Sequence, residues 1–245
     1  MSFLDVVTSG KQRAPRRVML YGSHGIGKST WAASAPSALF LPTEDGIKDI
    51  DCKSVPVIDS YGVMLSTLAE LYTEEHDFST VVIDSLDWLE RLIWAEVCTE
   101  KSVESIDDIG YAKGYSFALY QWRTILTALD SLREFRSMAV VLLAHAKVER
   151  FEHPETEPFD RWAPRLHKHA SAMVQEWCDE VLFASYKVHT RTKEGDFGKE
   201  RSQGIGKGER VVRTQERPAH VAKNRLNLPL EIPLSWDAYA QAASV

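Results

Sequence analysis

The chain holds 245 residues, 44% of them hydrophobic, enough to bury the core of one large α/β domain. Its net charge of −6 excludes a global polyanion-binding surface, so any nucleic-acid contact must come from local basic segments. No run is apolar enough for a membrane span, and the stretch from Met1 to Gly10 lacks the basic start and long apolar segment of a signal peptide. Cys52, Cys98 and Cys178 lie far apart without metal-ligand spacing, so reduced thiols in a cytoplasmic protein are expected.

Residues 1–15 read as an arm ending in Lys11-Gln-Arg-Ala-Pro15. Its Phe3, Leu4, Val6 and Val7 either dock on a neighbouring subunit or form a loosely packed terminus. An apolar strand, Arg17-Val-Met-Leu-Tyr21, then leads into Gly22, Ser23, His24, Gly25, Ile26, Gly27, Lys28, Ser29 and Thr30. These fit the phosphate-binding loop G-x-x-x-x-G-K-[S/T], and Trp31-Ala-Ala-Ser-Ala35 continues as a helix. Backbone N–H groups and the helix N-terminus face an anion there. Gly22, Gly25 and Gly27 allow the tight turn, Lys28 would bridge the β- and γ-phosphates of ATP, and the Ser29 hydroxyl would hold Mg²⁺.

Ala38-Leu-Phe-Leu-Pro42 reads as a second buried strand, ending in Thr43-Glu44-Asp45-Gly46 at the sheet edge where ligands bind in open α/β folds. Glu44 there is either a general base for an attacking water or part of an acidic turn. Residues 55–58 are a candidate short strand and 61–74 a helix. Thr80-Val-Val-Ile-Asp84-Ser85 places an aspartate at a strand end, the second nucleotide motif, where Asp84 would hold Mg²⁺ through water. The helix Leu86–Lys101 carries Leu86, Leu89, Ile93 and Val97 on one face, with Trp88 and Trp94 read as packing residues. Ile106-Asp-Asp-Ile-Gly110-Tyr111-Ala-Lys113-Gly114-Tyr115 has the composition of a mobile loop that could stack on bases, or of a rigid connection with buried tyrosines.

A long amphipathic helix is expected over 116–135 and a central strand over 138–144, ending in His145. That histidine either senses the γ-phosphate or caps the strand. Residues 146–168 are polar, proline-rich and charged, with little regular pattern, so a functional loop is expected there. A helix near 170–177 and a strand over 180–188 follow. Residues 188–213 are basic and glycine-rich and read as a two-stranded ribbon that is either solvated or in contact with a nucleic-acid backbone. Gly204-Ile-Gly206-Lys207 lacks the spacing and helix of a second phosphate site. Lys223 and Arg225 alternate along an expected strand and so leave one face, from which two cations could serve a neighbour's γ-phosphate. The chain closes with a short helical tail over 237–245.

Together, residues 22–30, Thr43-Glu44, Val81-Val-Ile-Asp84-Ser85, His145 and Ala222-Lys223-Asn-Arg225 resemble the RecA-like ATPases across residues 16–236. The resemblance is to the phage-encoded group linked to single-strand annealing and recombination. It implies one RecA-like P-loop NTPase domain, α/β, with a mostly parallel sheet, helices on both faces and a C-terminal β-ribbon. It further implies that Glu44 activates water, that Asp84 serves magnesium, and that His145 stands at a polar switch between the γ-phosphate and a DNA-binding loop. Residues 146–168 and 103–115 would be the two DNA loops, and Lys223 and Arg225 would reach the next subunit's ATP in a ring or filament. A phage origin would place the protein in a bacterial cytoplasm. Ser85, rather than a glutamate, follows Asp84, which sets the chain apart from AAA+ and transporter-type ATPases. No arginine-rich lid of the small-molecule kinase kind lies between the motifs.

The expected function is therefore an oligomeric ATPase, stimulated by DNA, that binds single-stranded DNA for annealing or strand exchange, with a single-strand-binding protein as a candidate further partner. Two other readings stand beside it. One is an annealing scaffold with structural ATP; the other is a DnaB-like motor or helicase loader, for which the chain lacks room for a separate helicase N-terminal domain.

Overall fold

In the computed structural model, residues 3–11, 14–110, 113–187, 189–194, 200–205 and 208–244 are described, the ribbon segments 189–194 and 200–205 by their backbone. The first strand, Arg17–Gly22 (β1), buries both faces. Val18 and Leu20 enter one apolar cluster, Met19 and Tyr21 another. A strand with two dry faces has to be central and covered by helices on both sides.

After β1 come the helix Lys28–Ala33 (α1), the strands Ala38–Pro42 (β2) and Lys53–Ser54 (β3), and the helix Tyr61–Thr73 (α2). The strand Thr80–Asp84 (β4) leads to the helices Leu86–Lys101 (α3) and Lys113–Phe135 (α4). The strands Ala139–Phe151 (β5) and Phe159–Pro164 (β6), the helix Lys168–Trp177 (α5) and the strand Glu180–Tyr186 (β7) follow. A ribbon of His189–Glu194 (β8) and Glu200–Ile205 (β9) precedes Arg210–Arg213 (β10), Lys223–Asn224 (β11), Glu231–Pro233 (β12) and the helix Trp236–Ala243 (α6). The main sheet runs β12-β10-β7-β1-β5-β4-β2-β3, parallel from β7 to β3 and antiparallel at the β10 and β12 edge. Helices α2 to α5 cover one face, α1 and α6 the other. The expected α/β domain with a mostly parallel sheet is what forms, and the ribbon is present as β8 and β9.

Several expected boundaries are corrected. No strand forms over 55–58; β3 is the shorter Lys53–Ser54, although Val55 N–H still donates to Phe40 and Ile58 N–H to Pro42. Helix α4 begins at Lys113 instead of 116, because Gly114 lets it press on the 3-10 turn Ile106–Asp108; a Cβ there would stand 2.5 Å from the Ile106 carbonyl oxygen. The expected loop at 103–115 is thus largely structured, with the Tyr115 hydroxyl on Asp107 and its ring stacked on His167 at 4.1 Å. Tyr111, assigned to that loop, lies outside the described residues.

The larger correction concerns 146–168. Strand β5 does not stop at Ala144 but runs on to Phe151 and pairs with β6 in a hairpin, from Ala146↔Pro164 to Phe151↔Phe159. Charges stand on both faces of this pair, Lys147, Glu149 and Arg161 on one and Arg150 and Asp160 beside exposed Val148 and Trp162 on the other, so no apolar alternation marks the strands. Strand β7 ends at Tyr186, short of 188. Residues 210–213 belong to the main sheet, not the ribbon: Val211 and Val212 are buried and β10 pairs with β7. Gln12, Arg13, Gly195, Gly198, Lys199, Gly206 and Lys207, assigned to the arm and ribbon, lie outside the described residues. The tail is not an appendage either. Tyr239 of α6 is buried, meets Trp31 and Trp236, and places its hydroxyl on Glu180.

Candidate nucleotide-binding site

Strand β1 ends at Gly22, packed so closely on β7 that a Cβ would lie 2.5 Å from the Ala184 carbonyl oxygen. The chain then turns through Gly25 (φ 70°) and Gly27 (φ 107°), a left-handed region that favours glycine. Helix α1 has only six residues, so the turn's N–H groups rather than a long dipole make the anion nest. Lys28 is 6% exposed and folds back, its Nζ donating to the carbonyls of Gly22 (3.3 Å) and Ser23 (3.1 Å). Burial lowers its pKa, against the pull of Asp84, Asp87 and Glu44.

The strand register brings the acidic residues to this loop. Pro42 of β2 pairs with Asp84 of β4, so Thr43 and Glu44 emerge beside Ser85. Thr43 Oγ1 accepts from the Ser85 N–H (2.9 Å) and donates to the Ser85 carbonyl (2.7 Å), clamping the two strand ends. Ser85 Oγ donates to Glu44 Oε1 at 2.5 Å. Ser29 Oγ donates to Asp84 Oδ2 at 2.6 Å, and burial pushes the Asp84 carboxyl up, with the Ser29 hydroxyl opposing. A hydroxyl beside a buried carboxylate is a hard oxygen pair suited to Mg²⁺, which typically keeps waters and substrate phosphates as its other ligands. Among the described residues no cluster of three or more His, Cys, Asp or Glu could hold a metal by itself.

His145 pairs in register with Gly22. Its ring stacks on His24 of the loop at 3.8 Å, and its Nδ1 lies 3.8 Å from Glu44 Oε1. Nδ1 also sits 3.1 Å from both oxygens of Asp87, whose Oδ1 accepts the His145 N–H at 3.1 Å. Arg165, at the foot of the β5–β6 hairpin, donates to Asp87 Oδ2 at 2.6 and 3.2 Å. Burial pushes the Asp87 carboxyl up, but the His145 and Arg165 hydrogen bonds win and hold it well below the usual carboxylate range. His24, Lys28, Ser29, Glu44, Asp84 and His145 thus line one cavity of about 320 Å³.

Asp87 and Arg165 escaped the sequence reading. The signal was there for Asp87: it and Glu90 interrupt the buried face of α3 between Leu86, Leu89 and Ile93, and a charge in an apolar stripe calls for a partner. Nothing in the sequence pairs Arg165 with it.

Lys223 and Arg225 lie away from this cavity, at the amino end of β7, where Lys223 pairs with Val181. The strand expected through both stops at Asn224, whose side chain accepts the Leu226 N–H and turns the chain. Lys223 Nζ donates to the carbonyls of Gln175 (2.9 Å), Glu176 (2.8 Å) and Cys178 (2.6 Å), which caps the C-terminus of α5. Arg225 meets Asp179 at 3.0 Å with its side chain 52% exposed.

The family described as AAA domain matches residues 14–226, most of the chain. The chain belongs to the AAA domain family. No curated protein matches it. Among similar solved structures is the crystal structure of the RadB recombinase, at 12% identity and a TM-score of 0.46, covering 92% of this chain and 90% of that one. A likeness at that level assigns no function. Membership of the AAA domain family supports the P-loop ATPase that the motifs resemble. Ser85 follows Asp84, and Glu44 comes from the end of the neighbouring strand. No helix among the described residues is long and apolar enough to cross a membrane.

Proposed function

We propose that this protein is a Mg²⁺-dependent ATPase that acts on single-stranded DNA as an oligomer, in recombination or annealing, with the RecA-like mechanism its motifs resemble. The observation that carries the ATPase reading is the convergence of Glu44 and Asp84, from adjacent strand ends, on the Lys28–Ser29 loop. The loop N–H groups and Lys28 hold the phosphates, and Ser29 with Asp84 holds the ion. Mg²⁺, when bound, supplies charge neutralisation at the phosphates. Glu44 accepts a hydrogen bond from the attacking water and orients it, with Ser85 Oγ fixing the carboxylate. His145, held by Asp87, contacts the γ-phosphate side of the cavity. These groups act by position and electrostatics.

For the DNA side, charge favours the ribbon over the hairpin tip. The tip between the strands, residues 152–158, carries Glu152, Glu155 and Glu157 and no lysine or arginine, so it repels phosphates. Arg191, Lys193, Lys199, Arg201 and Lys207 lie in the ribbon stretch. Of the two cations assigned to a neighbouring subunit, Arg225 is the better candidate, since Lys223 would have to leave three carbonyls.

ATP turnover with and without single-stranded DNA, with Lys28→Ala as the blank, tests the proposal. Turnover that rises with DNA supports it. Turnover indifferent to DNA would favour the scaffold reading, and turnover equal to the Lys28→Ala blank would remove the ATPase.

A further inference from the structure

Arg210 reads in the sequence as one more cation of the basic ribbon. In the fold it opens β10, opposite Tyr186 of β7, and turns its side chain onto the phosphate loop instead. Its Nη1 donates to the Ile26 carbonyl at 3.2 Å. The same nitrogen lies 2.8 Å from where a Cβ on Gly27 would stand. Gly27 therefore answers two demands: its φ of 107°, and the space the guanidinium occupies.

The contact has a physical reason. A loop that turns its N–H groups inward toward an anion turns carbonyls outward, and each outward carbonyl needs a donor. Ile26, whose side chain is fully buried, has its carbonyl satisfied by Arg210. Among the described residues Arg210 has no carboxylate partner, unlike its neighbours: Lys187 pairs with Glu209 and Glu231, and Arg213 with Glu231. A guanidinium fixed to the back of an anion nest adds positive potential where phosphates bind. Its backbone is also tied into the edge: the Arg210 carbonyl accepts the Leu234 N–H at 3.2 Å, and the preceding Glu209 carbonyl accepts the Lys187 N–H at 2.8 Å.

We infer that Arg210 is a positioning residue for the nucleotide: it holds the phosphate loop in its binding conformation from outside and joins that loop to the base of the β8–β9 ribbon. This rests on the nucleotide-binding reading of the loop. The role differs from those of Lys28 and Ser29, which face the phosphates, because Arg210 acts through the Ile26 carbonyl.

The test is titration of the full chain with fluorescent MANT-ADP, alongside thermal melting without nucleotide. Arg210→Ala is expected to weaken MANT-ADP binding about ten-fold, the worth of one charge-assisted hydrogen bond, while the melting temperature of this exposed position stays where it was. Arg210→Lys, which keeps a charged donor for the Ile26 carbonyl, is expected to recover most of the affinity. Wild-type affinity in Arg210→Ala overturns the inference, as does an Arg210→Lys variant as weak as the alanine. Wild-type protein that fails to bind MANT-ADP overturns the nucleotide reading itself, and this inference with it.

Discussion

Ser85 Oγ and Glu44 Oε1 are joined by a 2.5 Å hydrogen bond across the ends of two adjacent parallel strands. The bond leaves Glu44 with one oxygen committed and the other available to a water, in a cavity it shares with Lys28 and Asp84. Glu44→Gln should keep ATP binding and lose turnover by about a hundred-fold or more, the usual loss when a positioned base is removed. Full turnover in that variant would end its assignment.

Asp87 fixes His145 and Arg165 at once and does not line the cavity formed by Lys28, Ser29 and Glu44. Asp87→Asn should leave MANT-ADP binding within about three-fold while lowering turnover at least ten-fold, since a neutral amide holds the imidazole in the wrong orientation or tautomer. Unchanged turnover would reduce the pair to a structural contact.

Glu90 offers a pH signature. Burial pushes its carboxyl up to about 7 from 4.5, against the His167 N–H that favours its anion. The folded protein thus keeps a proton that the unfolded chain releases between these two values. The stabilising contribution is complete below about 4.5 and is lost as pH rises through about 7. Its full size is on the order of 3 kcal/mol. Glu90→Gln should flatten the fall in stability across that window, measured by urea unfolding at several pH values; an unaltered slope would contradict it.

Lys223 and Arg225 should separate by assay. Losing the cap on α5, Lys223→Met is expected to cost about 1–2 kcal/mol of stability. Arg225→Ala should lower ATP turnover at least ten-fold with little change in melting, if its exposed guanidinium serves a neighbouring subunit. A normal rate in Arg225→Ala would remove that role.

Gly114→Ala should destabilise the fold by about 1–3 kcal/mol, because the new methyl meets the backbone oxygen of Ile106 rather than a side chain that can move away. A chemical melt indistinguishable from wild type would show that α4 can slide at little cost.

The sequence by itself determined whatever is written in local patterns. The spacing of Gly22, Gly27, Lys28 and Ser29 marks the loop; the apolar runs before Pro42, Asp84 and His145 mark parallel strands buried on both faces. Periodicity also placed α2, α3 and most of α4, because an apolar stripe repeats at helical spacing whatever it packs against. Glu44 and Asp84 could be named, but not joined, since their proximity depends on β2 pairing with β4.

Tertiary structure alone decided the rest. The hairpin at 146–164 was hidden because both faces of its strand pair carry charges, which in sequence resemble a loop. Arg210 left the ribbon for the phosphate loop, Arg165 found Asp87, and Lys223 became a helix cap. Each is a long cation whose partner lies far away in sequence: Ile26, Asp87 and the end of α5. A charge's type is local information. Its partner is set by which chain segments the packed core brings within a side chain's reach.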